Sequence, residues 1–263
     1  MKYDLKDTTF IIPVRLDTVI RLENLFLTVD HIQEKLQTHI VILEASPYNN
    51  GIIQHNLKDR VTYQFVEDKD PIFHRTKYLN LMTMNVKTDF TAIWDADIII
   101  DHDQILDALC NLRQNLCDIA YPYAGDFYDM SDLLRNHFFV HRDLEFLNAN
   151  RGKMQLMYNV EGIIGALGGA IIVKTDQYRL SGMENEAFYG WGLEDGERYY
   201  RWLSFDFKIY RSKGCLFHLT HPRDSNGSFH SKSHQNKAQH DMSEVVNYSK
   251  EELYARFSKI TLQ

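Results

Sequence analysis

The chain has 263 residues, 44% hydrophobic and 25% charged, which is the balance of a globular protein rather than a disordered one. With 36 acidic against 29 basic residues, its net charge of −7 gives no electrostatic footprint for nonspecific nucleic-acid binding. No run approaches the roughly 20 apolar residues of a membrane span, and no signal peptide is visible. The three cysteines (Cys110, Cys117, Cys215) have neither zinc-site nor disulfide spacing, so a cytoplasmic protein is expected.

Residues 9–14 are a short apolar run and read as a buried strand. Residues 17–37 carry Val19, Ile20, Leu22, Leu25, Phe26, Val29, Ile32 and Leu36 at helical spacing. Residues 40–43 and 61–66 are the next strands, and 74–86 reads as a helix with Tyr78, Leu81 and Met82 on one side. Residues 90–94 form a fourth strand that delivers Asp95 and Asp97 at its C-terminal end. A helix with Ile105, Leu109, Leu112 and Leu116 on one face follows, then a short strand at 118–121. This alternation predicts a largely parallel sheet flanked by helices, with its ligand site beyond the C-terminal strand ends.

The second half is less regular. A helix is expected over 131–149, a glycine-rich loop over 162–169 and a strand over 170–173. Further strands are expected at 205–210 and 215–219. Residues 222–240 are polar and rich in Ser, Asn and His, the composition of a mobile loop. A closing helix over 243–258 would bury Val246, Leu253 and Phe257. No repeat or linker divides the chain.

Four stretches carry chemistry. Asp95-Ala96-Asp97 places two carboxylates where they can converge on a hard divalent cation, or form a solvated turn. His218 and His221 follow an apolar segment and offer imidazole to a manganese-like or zinc-like ion, or form a surface pair. In GWGLEDGE (190–197), a Trp between glycines exposes a ring face. Glu194 and Asp195 open a helix, where they serve as dipole-favoured caps or as a general base. Arg15 at the first strand end and the helix start around Phe73 and Arg75 suit an anionic ligand such as a diphosphate. His230, His234 and His240 read as loop residues.

The order of these stretches is more specific than any one of them. IIPVR (11–15), FHRTKYLN (73–80), WDAD (94–97), GG (168–169), YGWGLED (189–195) and HLTHPRD (218–224) together resemble the metal-dependent GT-A glycosyltransferases. The likeness is greatest to the beta-1,4-galactosyltransferase family and its bacterial polysaccharide-synthesising relatives. It implies a single α/β domain of GT-A fold with a mixed, mostly parallel sheet. Residues 1–120 would form the nucleotide-binding half, 121–224 the acceptor and catalytic half, and 225–263 a mobile loop and C-terminal helix.

The resemblance also implies roles. Pro13, Arg15, Phe73, Arg75, Asp95 and Trp191 would hold the UDP-sugar donor. Trp191 and Glu194 would hold the acceptor, and Asp195 would be the catalytic base. Asp97, His221 and His218 would bind Mn2+ (or Mg2+), with His218 standing where animal members have a methionine. The pattern departs from the animal W-G-W-G-G-E-D-D-D: Tyr189 replaces the first Trp, Leu193 a Gly, and Gly196-Glu197 two Asp. The implied activity is inverting transfer of galactose or N-acetylgalactosamine to a glycan or lipid-linked oligosaccharide, with peripheral membrane association. Asp95 and Asp97 would then be balanced by a metal-bound donor rather than by protein cations alone. Rival readings are a transferase of glucose or glucuronic acid, a nucleotidyltransferase, and a noncatalytic sugar-binding module.

Overall fold

The computed structural model describes residues 2–158, 165–223 and 225–257. Residues 162–164 of the expected glycine-rich loop, Asp224 and the last residue of the expected 243–258 helix lie outside the described residues.

β1 (Tyr3–Val14) is buried from Thr8 to Val14 on successive residues, as an interior parallel strand requires. α1 (Val19–Lys35) starts at Thr18, whose hydroxyl accepts from the Arg21 N–H at 3.2 Å. Leu36, expected on that helix, opens β2 (Leu36–Ser46) instead. Then come α2 (Ile52–Asn56), β3 (Thr62–Glu67), α3 (Arg75–Asn85), β4 (Phe90–Trp94), β5 (Ile98–Ile100) and α4 (His102–Arg113). β6 (Ile119–Tyr121), β7 (Asp126–Asp129), α5 (Asp132–His141), α6 (Leu144–Ala149), β8 (Gln155–Met157) and β9 (Ala170–Lys174) follow. α7 (Thr175–Leu180), α8 (Glu194–Ser204), β10 (Ile209–Arg211), β11 (Cys215–His218), α9 (Lys232–Asn247) and α10 (Lys250–Phe257) complete the order.

The main sheet has seven strands in the order β10-β6-β9-β4-β1-β2-β3. Only β9 runs against its neighbours β4 and β6, so the sheet is mixed and mostly parallel, as expected. A smaller sheet, β5-β11-β7-β8, packs beside it. Its register sets His218 opposite Ile98 on one side and Asp129 on the other.

Several sequence expectations are corrected. The helix over 131–149 is two helices, because Arg142 turns left-handed (φ 55°) between them. Residues 205–206 end α8, and only Ile209–Arg211 of the 205–210 segment pair as a strand. Leu81, Leu116 and Val246 are exposed, while neighbouring Val245 is buried with Leu253 and Phe257. The polar 222–240 stretch contains the first half of α9, which begins where the Ser231 hydroxyl accepts from the His234 N–H at 3.0 Å. His234 and His240 are therefore helical. The three cysteines are unpaired.

The buried polar face of α1 ties the two sheets together. Asn24, Thr28 and His31 donate to the carbonyls of Leu219 (2.7 Å), Ala96 (3.1 Å) and Ile100 (2.7 Å). Burial, then the neighbouring His102, pushes the His31 pKa down to about 4, so its ring is neutral at pH 7. One helix thus fixes both the Asp95–Asp97 turn and the chain leaving β11.

Candidate active site

β4 ends at Trp94, and the chain turns through Asp95-Ala96-Asp97 into β5. The Asp95 N–H donates to Gly169 O (2.9 Å), and the Leu219 N–H donates to Asp97 O (2.8 Å). Backbone pairing alone therefore brings the aspartates against the glycine pair and the end of β11. They lie in a cavity of about 640 Å³ that also holds Pro13, Arg15, Phe73, Arg75, Trp191, Glu194, Asp195, His218 and His221. All the sequence-derived site residues are thus gathered in one place.

At one end of the floor, Asp97, His218 and His221 present ligating atoms within 4.8 Å of one another. His221 Nε2 is 3.1 Å and His218 Nε2 3.7 Å from Asp97 Oδ2. The Asp129 carboxylate accepts from His218 Nδ1 at 2.6 Å, and Pro222 O accepts from His221 Nδ1 at 2.8 Å. Those outer bonds fix both rings with Nε2 toward Asp97, the arrangement that metal-binding imidazoles use. Burial alone would raise the Asp97 pKa, but the two imidazoles hold it well below the carboxylate range. Burial would lower His218, yet Asp97 and Asp129 lift it to about 9. Two imidazole nitrogens and a carboxylate oxygen fit a borderline divalent ion.

The other end is held by arginines. Arg75 donates twice to Asp95 Oδ1, from Nε (3.1 Å) and Nη2 (2.6 Å). Its Nη1 is buried without a hydrogen bond and lies 3.8 Å from Asp195. Arg198, fully buried, bridges Glu184 (2.7 Å) and Asp195 (2.7 Å). Asp95 is thus paired with a protein cation, Arg75, whatever further balance a metal-bound donor would add. Burial raises its pKa, which Arg75 opposes and Asp97 reinforces. Gly168 packs so closely on the Asp195 carboxylate that a Cβ there would collide with it.

Glu194 is 7% exposed and accepts from the Gly192 N–H at 2.8 Å. Burial, then the charge of Asp195, pushes its pKa up to about 7. Leu193, which stands where the animal pattern has glycine, holds a left-handed φ of 68° at the start of α8. That conformation strains a side-chain-bearing residue, a feature concentrated at functional sites. The Trp191 ring meets Phe229 edge-on at 5.5 Å and lines the cavity wall. Phe73 stacks on Tyr78 at 5.4 Å.

Arg15 is engaged by the protein itself. Its guanidinium donates to Ala45 O (2.9 Å) and Asp70 O (2.6 Å), pairs with Asp68, and lies 5.5 Å over the Phe73 ring. Three of its five N–H groups are so engaged, and it lines the cavity beside Phe73. Arg21, Asp129 and Arg198 were not anticipated. Arg21 lies 4.0 Å from Asp97 and 3.3 Å from His221, and Arg198 was detectable from its i,i+3 spacing to Asp195. Asp129 had no sequence signal, because only the β7–β11 pairing brings it to His218.

Residues 147–224 match the family model described as the N-terminal domain of galactosyltransferase. That segment holds Trp191, Glu194, Asp195, His218 and His221. No curated protein matches the chain by sequence. Among solved structures, the catalytic domain of Drosophila beta1,4galactosyltransferase 7 in complex with xylobiose is 14% identical, with 88% of this chain and 79% of that one covered and a TM-score of 0.52. Mycobacterium tuberculosis glucosyl-3-phosphoglycerate synthase, in complex with Mn2+, UDP and phosphoglyceric acid, is 12% identical over 89% and 78% with a TM-score of 0.54. S. aureus TarS 1-349 is 12% identical over 100% and 71% with a TM-score of 0.60. The fold is the GT-A glycosyltransferase fold, and the segment bearing Asp195 and the histidine pair is similar to the galactosyltransferases.

Proposed function

We propose that this chain is a metal-dependent inverting glycosyltransferase that moves galactose or N-acetylgalactosamine from a UDP-sugar to a hydroxyl of a glycan acceptor. The observation that carries the reading is one cavity lined both by the Asp97, His218 and His221 cluster and by Asp195. The galactosyltransferase match over residues 147–224 supports the donor choice. The proposal retains the chain's division into a nucleotide half (1–120), an acceptor half (121–224) and a closing segment (225–263). It also retains a cytoplasmic setting with a glycan or lipid-linked acceptor presented at a membrane surface. No helix among the described residues is long and apolar enough to cross a membrane.

Asp97, His218 and His221 would hold the divalent ion, Mn2+ or Mg2+. Bound there, the ion supplies Lewis-acid stabilisation of charge on the leaving diphosphate. Phe73, Trp191 and Pro13, all lining the cavity, would pack against the donor. Arg75, donating twice to Asp95 Oδ1, fixes that carboxylate's position beside the donor. Asp195 takes the proton from the attacking acceptor hydroxyl, and Arg198 and Gly168 fix the position of its carboxylate. Glu194, half protonated near neutrality, both donates and accepts a hydrogen bond to the acceptor. Attack from the side opposite the diphosphate inverts the anomeric centre.

Incubating the chain with Mn2+, a panel of UDP-sugars and oligosaccharide acceptors tests the reading. Transfer from one UDP-hexose is expected, and Asp195→Asn is expected to lose about 10²–10⁴-fold of it while still binding UDP. Wild-type turnover in that variant would remove Asp195 from the base role.

A further inference from the structure

Outside the cavity, one other set of ligating side chains among the described residues includes buried imidazoles: His31, Glu34 and His102. His31 lies in the last half of α1, and His102 is the first residue of α4. They are 6% and 2% exposed, and Glu34 is at the surface. The two rings sit 4.3 Å apart, centroid to centroid, inclined at 34°.

The hydrogen bonds settle which nitrogens are free. Nε2 of His31 lies 2.7 Å from Ile100 O, and Nε2 of His102 lies 2.7 Å from His31 O. A carbonyl only accepts, so each Nε2 carries the proton and each Nδ1 of the neutral ring keeps its lone pair. Neither Nδ1 has a hydrogen-bond partner among the described residues. Two histidines that merely satisfied backbone carbonyls would account for the Nε2 bonds. That role does not account for a Glu34 carboxylate oxygen within 4.8 Å of a ring nitrogen of each histidine. Imidazoles anchored through one nitrogen to a carbonyl, with the other nitrogen free, are how proteins orient metal ligands.

We propose that His31, Glu34 and His102 form a second divalent-metal site, of the two-nitrogen, one-oxygen kind that suits Zn2+ with water in the fourth position. The site joins the end of α1 to the start of α4. It sits where His31 grips β5, the strand that continues from Asp97. An ion held there braces that strand through His31, with none of its three ligands lining the cavity. It has no part in the chemistry proposed for the cavity.

The test is a Zn2+ titration of Asp97→Asn, which disables the cavity cluster, read by equilibrium dialysis with metal analysis and by thermal melting. One bound equivalent and a raised Tm are expected. Adding Glu34→Gln or His102→Asn is expected to weaken that binding on the order of tenfold or more. Because Glu34 is exposed, the Glu34→Gln chain is expected to melt like its parent without metal, which separates loss of the site from loss of the fold. With Co2+ in place of Zn2+, the visible absorption of a tetrahedral site should appear in Asp97→Asn and fade when Glu34→Gln is added. No Zn2+ bound by Asp97→Asn, or equal binding with and without Glu34→Gln and His102→Asn, overturns the proposal. Neither readout depends on glycosyl transfer, so the two proposals fail separately.

Discussion

The two ends of the cavity floor hold carboxylates by different means. Asp95 and Asp195 are gripped by Arg75 and Arg198, whereas Asp97 is faced by His218 and His221. A guanidinium stays charged and has no lone pair, so the arginine end is a fixed frame closed to cations. An imidazole can release its proton and offer the freed nitrogen to a metal. Asp95 and Asp97 are one residue apart and chemically identical. Their partners, set by α3 on one side and β11 on the other, direct them to different work.

The largest expected effect breaks the histidine end. Asp97→Asn should cost metal-dependent transfer about 10³-fold, the several kcal/mol that metal assistance supplies, measured as kcat/KM with saturating Mn2+. Breaking the arginine end should harm the fold as well as the placement of Asp195. Arg198→Met leaves Glu184 buried without its cation, and urea unfolding should show a loss of about 3–5 kcal/mol.

Glu194 sharpens the contrast through pH. Its pKa is raised from 4.5 to about 7, so the folded chain keeps a proton there that the unfolded chain has lost. The resulting stability is full below about pH 4.5 and fades as pH rises to about 7, on the order of 3 kcal/mol in all. His31, lowered from 6.5 to about 4, tilts the other way and gives stability that is lost as pH falls from about 6.5 to about 4. Glu194→Gln should remove the first tilt, so that stability measured at pH 8 relative to pH 5 rises by about 2–3 kcal/mol over wild type. The smallest effect is outside the ligand set. Asp129→Asn should loosen His218 and weaken Mn2+ binding about 10- to 100-fold, with urea stability little changed.

The first 120 residues were legible because β4 and the later parts of β1 and β2 are apolar runs and α1 and α4 carry a clear apolar stripe, whereas the polar starts of β1 and β2 gave no strand signal. Asp95 and Asp97 stood out for the same reason, as carboxylates ending such a run. The small sheet was not legible. β5, β7 and β8 have three or four residues each, too few for a period, and exist through pairings distant in sequence. The first part of α9 was missed because Ser, Asn, His and Lys suggest a loop, while its Ser231 cap and buried Ala238 and Val245 make it a helix. The carboxylates set before Arg75 were not legible either: its sequence position shows a cation at a helix start, and only tertiary packing brings Asp95 and Asp195 to it.

The most direct measurement is the thermal stability of wild type and Asp97→Asn with UDP, with and without Mn2+. A ligand that binds only the folded state raises Tm. The account predicts that UDP shifts the wild-type Tm only when Mn2+ is present, and that Asp97→Asn shows no shift in either condition. A shift of equal size in Asp97→Asn, or one in wild type that ignores Mn2+, would contradict a nucleotide site built on the histidine end.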